Sequence, residues 1–289
     1  MASYDRWERK RPGPASAGPE QPKRTDYRFQ AVSLPRGPET GTMTVISWQR
    51  EGTGSELPIA FQEEGERKMT PDGESLFKML NGDKPRVWLF TGDSITHGPL
   101  HTNGMRNYVE HIQERIRWEL QRFHDVVINT GISGHTIQDI ERGFADRIAR
   151  FQPDAVFLML GMNDCTSGPA GRGKFRGSFI RVIERIRDLG AIPVLQTPNP
   201  VFEAEATTRS DLSHYVHIVG EIALEERTVL IDHYSHWMTK QPEQARLRAD
   251  WLNDAIHPNQ HGHVELARKL LLDLKLFDEE SPTCNLVLP

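Results

Sequence analysis

From about residue 76 onward, short apolar runs alternate with longer segments whose apolar residues recur every three or four positions. This alternation limits the fold more than any other feature of the chain. A strand that is apolar throughout needs cover on both faces, and the intervening helices supply it. The runs are Val87-Trp88-Leu89-Phe90, Val126-Val127-Ile128, residues 155–160, residues 192–195 and Val229-Leu230-Ile231. Helical spacing fills residues 107–122, through Val109, Ile112, Ile116 and Leu120. It fills residues 137–151 through Ile137, Ile140, Phe144 and Ile148, and then residues 175–189, 212–224 and 264–274. Residues 234–249 are polar and read as a loop with a short helix. The expected fold class is therefore α/β, with a five-stranded parallel sheet and right-handed crossovers. A doubly wound sheet of this kind keeps its ligands at the carboxyl ends of the strands.

The rest of the chain divides by composition. Residues 1–26 are rich in Pro, Gly, Arg and Lys and read as a solvated, disordered or loosely packed arm. Its Arg9-Lys10-Arg11 cluster reads as part of a charged tail. Residues 27–75 carry short β-rich stretches separated by turn signals such as Pro35-Arg36-Gly37-Pro38, and read as a small β extension. Residues 76–278 form the expected main domain, and residues 279–289 a C-terminal tail. The N-terminus lacks the apolar region of a secretory signal, so a cytoplasmic protein is the default expectation, or a secreted one if a signal was removed. Every apolar run falls far short of the roughly 20 residues that a membrane span needs. The net charge of −5 argues against a nucleic-acid partner. The two cysteines, Cys165 and Cys284, are too few for a disulfide framework or a cysteine zinc site and read as free thiols.

The residues just past each strand carry the chemistry. After the first strand comes Gly92-Asp93-Ser94-Ile95-Thr96, and after the second Gly131-Ile132-Ser133-Gly134. Gly161-Met162-Asn163-Asp164 comes after the third, and Asp254-Ala255-Ile256-His257 precedes the last helix. A hydroxyl, two backbone glycines, an amide and an Asp/His pair thus converge on one sheet edge. They are the parts of acyl transfer: a serine hydroxyl, a base to take its proton and a carboxylate to orient the base. Ser94 reads as nucleophile, His257 as base and Asp254, three residues earlier, as orienter. The Ser94 N–H, the Gly134 N–H and the Asn163 amide are the candidate donors to a tetrahedral oxyanion. Singly, each motif also has a structural reading, as a cap, a turn or a tight loop. Their joint occurrence in this order, at successive strand ends, favours the catalytic one. Ser…Asp…His order also occurs in α/β-hydrolases, but Thr96 stands where their G-x-S-x-G elbow has its second glycine.

The four stretches resemble the four blocks of the SGNH/GDSL hydrolases. Gly92-Asp93-Ser94-Ile95 is similar to the nucleophile block, with Ile in place of the usual Leu. Ser133-Gly134 is similar to the block that gives a glycine N–H. Gly161-Met162-Asn163-Asp164 matches G-x-N-D, and Asp254-Ala255-Ile256-His257 matches D-x-x-H. The resemblance covers about residues 84–275. It implies a flavodoxin-like three-layer α/β/α fold and hydrolysis of esters or thioesters without a cofactor. It says nothing about the β extension.

The opening Gly-Asp-Ser-Ile-Thr is similar to that of carbohydrate O-acetylesterases in this family. The expected substrate is therefore an O-acetyl group on a carbohydrate or glycoconjugate, taken as a small-molecule or glycan ester. Asp93, His97, His101, Asn103 and Arg106 lie close to Ser94 in sequence and are the candidate substrate contacts. An acyltransferase with the same triad, a lipid- or thioester-directed esterase, and a binding module on an inactive scaffold are the alternatives. No metal is expected: His97 and His101, and His261 and His263, lack a third ligand at recognisable spacing. The glycine-rich residues 168–173 lack the ending of a phosphate loop and read as a mobile lid beside the site.

Overall fold

The computed structural model describes residues 69–98 and 100–288, together with the backbone of three earlier strands. Those strands are β1 (Tyr27–Leu34), β2 (Met43–Arg50) and β3 (Ala60–Gln62), paired antiparallel in that order. The arm expected over residues 1–26 lies outside the described residues.

Helix α1 (Pro71–Leu80) straddles the boundary expected at residue 75. Its start is built from standard parts. The Thr70 hydroxyl accepts from the Gly73 N–H at 3.1 Å, Pro71 opens the first turn, and Asp72 and Glu74 favour the positive end of the dipole.

The main sheet then begins. In chain order come β4 (Val87–Gly92), α2 (Ser94–His97), α3 (Tyr108–Glu114) and β5 (Val126–Asn129). Next are α4 (Ile137–Arg142), α5 (Phe144–Arg147), β6 (Ala155–Met159), α6 (Gly168–Asp188) and β7 (Ile192–Gln196). The last are α7 (Leu212–Glu225), β8 (Val229–Ile231), α8 (His233–Lys240), α9 (Gln244–Asp250) and α10 (Gln260–Asp273). The five strands are all parallel, in the order β5-β4-β6-β7-β8. This is the doubly wound flavodoxin-like order, and it reverses beside β4. Helices α3, α8 and α10 pack together, as do α4, α6 and α7. Right-handed crossovers put these two groups on opposite faces of the sheet. Every residue of β6 and β7 is buried, which explains why both read as unbroken apolar runs.

Three expectations are corrected. The glycine-rich residues 168–173 form the first turns of α6, not a mobile lid. A Cβ on Gly171 would lie 2.5 Å from the Tyr215 hydroxyl, so glycine there lets α6 pack against α7. The Tyr215 hydroxyl donates to the Gly168 carbonyl at 2.9 Å and pins the same turn. Residues 234–249 are largely helical, in α8 and α9. The helix expected through residue 122 passes into a π-helical turn at Arg115–Glu119. That turn carries the buried Arg115, whose guanidinium is held by Glu119, Asp278 and the Leu276 carbonyl.

Candidate active site

Ser94 sits where β4 ends and α2 begins, on the sheet edge nearest the reversal in strand order. The turn is tight. A Cβ on Gly92 would come within 2.5 Å of both the Met159 carbonyl and the Thr96 hydroxyl, so only glycine fits there. Asp93 caps α2 by accepting the Ile95 N–H at 2.9 Å. Ser94 occupies the first helical position, where a backbone N–H has no intrahelical partner.

The Ser94 hydroxyl lies 2.9 Å from His257 Nε2, across 163 residues of sequence. His257 Nδ1 lies 2.8 Å from Asp254 Oδ2. Asp254 Oδ1 accepts the backbone N–H groups of Ile256 and His257, each at 2.8 Å. An ionised carboxylate only accepts, so Nδ1 carries the ring proton and Nε2 faces the hydroxyl as an acceptor. Burial alone would raise the Asp254 pKa. The bonds from the His257 and Ile256 N–H groups and from the His257 ring outweigh it and hold the carboxyl below its ordinary value. The loop is pinned at its base by the Leu252–Pro258 bridge and by the Asn253 N–H donating to the His257 carbonyl at 2.8 Å.

Gly134 adopts a positive φ of 81° in the turn after β5, and a Cβ there would meet open space. Its neighbour Ser133 bonds His97 Nδ1 through its hydroxyl at 3.2 Å and its N–H at 3.3 Å, tying this turn to α2. Asn129 strengthens the tie, donating to the Thr96 carbonyl at 2.6 Å. Asn163 comes after β6, and its amide donates to the carbonyl of His135, the residue after Gly134, at 3.1 Å. Asp164 accepts the N–H groups of Ile137 at 2.9 Å and Gly161 at 3.1 Å, binding the β5 and β6 loops together. Ser94, Asp254 and His257 thus form one hydrogen-bonded chain. Gly134 and Asn163 sit on loops bonded to each other and to the helix that starts at Ser94.

The candidate substrate contacts divide. His101 stacks face to face on His257, with ring centroids 3.8 Å apart and planes within 3°. Its Nδ1 lies 3.7 Å from Asp254 Oδ2 and accepts from the Asn253 amide at 3.2 Å. Burial lowers its pKa first, and His257 adds repulsion that Asp254 partly offsets. Asn103 donates to Gln260 at 2.9 Å, and His97 is engaged with Ser133. Asp93 does not fit the expectation. Asp93 is fully buried, its carboxylate turned inward to cap α2, and burial, with Asp164 nearby, pushes its pKa up to about 7. Arg106 is exposed and pairs with Glu114 at 3.0 Å, eight residues on in its own segment.

One neighbour carries no signal in the sequence. Arg209 donates to Asn163 Oδ1 at 3.4 Å and so orients the amide. It comes from an irregular stretch after β7 with no motif around it, and only the folded chain brings it to Asn163.

Known proteins resemble this chain in sequence and in fold. Residues 90–264 match the model of the GDSL-like Lipase/Acylhydrolase family. An acetylxylan esterase of Geobacillus stearothermophilus is 25% identical over 215 residues, covering 68% of this chain and 96% of that protein. Its crystal structure superposes with a TM-score of 0.53 at 23% identity, covering 65% of this chain and 94% of that one. An α/β hydrolase enzyme from the metagenome of Lake Arreo, Spain, gives 0.57 at 20% identity, covering 67% and 97%.

Proposed function

Because the chain belongs to the GDSL-like lipase/acylhydrolase family and is a carboxylic ester hydrolase, we propose that it removes an O-acetyl group from a carbohydrate through an acyl-enzyme on Ser94. The observation that carries this reading is the unbroken chain from the Ser94 hydroxyl through His257 to Asp254, at 2.9 and 2.8 Å.

The proposed steps follow from the order in which these groups are bonded. Ser94 Oγ attacks the ester carbonyl while its proton passes to His257 Nε2. Asp254 fixes the tautomer and faces the imidazolium that forms. The carbonyl oxygen gains negative charge, and in this reading the Ser94 N–H, the Gly134 N–H and the Asn163 amide donate to it. Collapse expels the sugar alcohol, which takes the proton from His257 and leaves an acetyl ester on Ser94. Water then attacks that ester, giving its proton to His257. The second tetrahedral species releases acetate and restores the serine hydroxyl.

Acetyl as the acyl group is supported by the acetylxylan esterase activity of the similar Geobacillus protein. The polar surroundings of His257 also suit a sugar better than a long acyl chain: His101, Asn253 and Asn103 stand there. The test is acetate release from acetylated xylo-oligosaccharides against hydrolysis of octanoyl and palmitoyl esters. The proposal expects acetylated sugars to be preferred and Ser94→Ala to release no acetate. Preference for the long-chain esters would overturn the carbohydrate assignment.

A further inference from the structure

The stacked pair His101 and His257 shares one carboxylate. One ligand atom from each of His101, Asp254 and His257 lies within 4.8 Å of the others. All three side chains are partly open to solvent, with Asp254 at 45% and His101 and His257 at 20% and 21%. We propose that these residues form a site for a divalent transition-metal ion of the zinc type, and that occupancy locks His257 in the wrong tautomer.

Two imidazoles and a carboxylate are the donor set that zinc takes, at about 2.0–2.2 Å, leaving a fourth position to water. The donor atoms of a tetrahedral site lie roughly 3.4 Å apart, so the 2.8 Å edge between His257 and Asp254 must open and the 3.7 Å edge between His101 and Asp254 must close a little. His101 can supply the second movement. It stands on the turn at residues 100–104, outside any helix, and must tilt from its parallel stack for the two lone pairs to converge. The Asn253 amide can only donate, so His101 Nδ1 already presents a lone pair on the Asp254 side. A metal would take the place of the Asn253 amide there.

The consequence lies in where the His257 proton goes. A neutral imidazole carries one proton. In the free site it is on Nδ1, facing Asp254. A metal bound at Nδ1 moves that proton, through solvent, to Nε2. The ring then donates to Ser94 Oγ and has no lone pair left to accept its proton. Hydrolysis stops until the metal leaves. This consequence rests on the Ser94 reading; the site itself does not.

Zinc is titrated into the full chain carrying Ser94→Ala, by calorimetry and by competition with a chromophoric indicator. Hydrolysis of 4-nitrophenyl acetate by the wild type is measured in parallel. One zinc per chain is expected, with hydrolysis suppressed by zinc and restored by EDTA. His101→Phe keeps a ring against His257 but removes the ligand. Losing an outer-sphere partner alone costs a metal site roughly 10–100-fold, so this variant should bind zinc at least tenfold more weakly. Its own hydrolysis should resist zinc to the same degree. His97→Ala, four residues earlier in the sequence and bonded to Ser133, should keep the zinc affinity, and circular dichroism checks that each variant is folded. Equal zinc affinity in His101→Phe, or one-to-one binding that leaves hydrolysis untouched, would overturn the proposal. Wild type that binds zinc through His101 but cleaves no ester would count against the Ser94 chemistry and for the site.

Discussion

At the amino ends of the strands, Asp125 is 2% exposed and ringed by donors. Its carboxylate accepts the Trp88 indole N–H at 2.7 Å, the Arg122 guanidinium at 2.7 and 3.2 Å, and the Arg86 N–H at 3.1 Å. Beside it, Asp154 accepts from Arg86 and from the Val87 N–H. At the carboxyl ends, Asp93 is buried as deeply but receives one backbone N–H. Its second oxygen has no hydrogen-bond partner among the described residues. Burial and the neighbouring Asp164 push its pKa up to about 7, and Asp164 itself is raised to about 6, mainly by burial. One edge pairs its buried carboxylates with donors, and at the other burial keeps a proton on Asp93 instead. The difference teaches where stability and chemistry are kept apart: the densely bonded edge holds the sheet, and the sparsely bonded one carries the serine turn.

Four experiments test that division. Ser94→Ala should lower turnover on the order of 10⁴–10⁶-fold with little change in unfolding midpoint, measured by acetate release and urea denaturation. Asp125→Ala should do the reverse. It strands a fully buried indole N–H and a guanidinium, so stability should fall by about 3–5 kcal/mol, while turnover per folded molecule stays close to that of the wild type. A large loss of turnover in the folded fraction would break the contrast. Asn163→Ala should cost roughly 10²–10³-fold in kcat, with KM much less affected, because the donor role proposed for the amide acts on charge present only in the transition state.

The smallest effect concerns pH. The raised pKa of Asp93 means that the folded protein keeps a proton which the unfolded chain releases near 3.8. Stability from this group is therefore lost as pH rises from about 4 to about 7. Asp93→Asn keeps an oxygen to cap α2 and removes the charge. Its stability relative to wild type should increase between pH 5 and pH 8 by roughly 1–3 kcal/mol, read from paired urea titrations. A difference independent of pH would mean that the two edges handle charge alike.

The same contrast explains what could be read from the sequence. The strands were legible because a sheet covered on both faces leaves no polar register, as in Ala155–Met159. The order of Ser94, Gly134, Asn163, Asp254 and His257 was legible because each adjoins a recognisable element. Helix α1 carried its own signal in Thr70, Pro71, Asp72 and Glu74, but began inside a stretch read as β. The start of α6 was not legible: three glycines argue against a helix, and packing of Gly171 on Tyr215 overrides that preference. Asp93 sits beside Ser94 in sequence, yet its side chain turns to the interior to cap α2, so nearness along the chain misled. The stack of His101 on His257 joins residues far apart in the chain and leaves no trace in local pattern.

Asp254 and His257 lie within four residues on a loop clamped at both ends by the Leu252–Pro258 bridge and by Asn259 donating to Trp251. The carboxylate and the imidazole therefore travel as a single cassette. The alignment inside it is built by bonds only three residues long, while its distance to the serine turn is left to the packing of the whole domain.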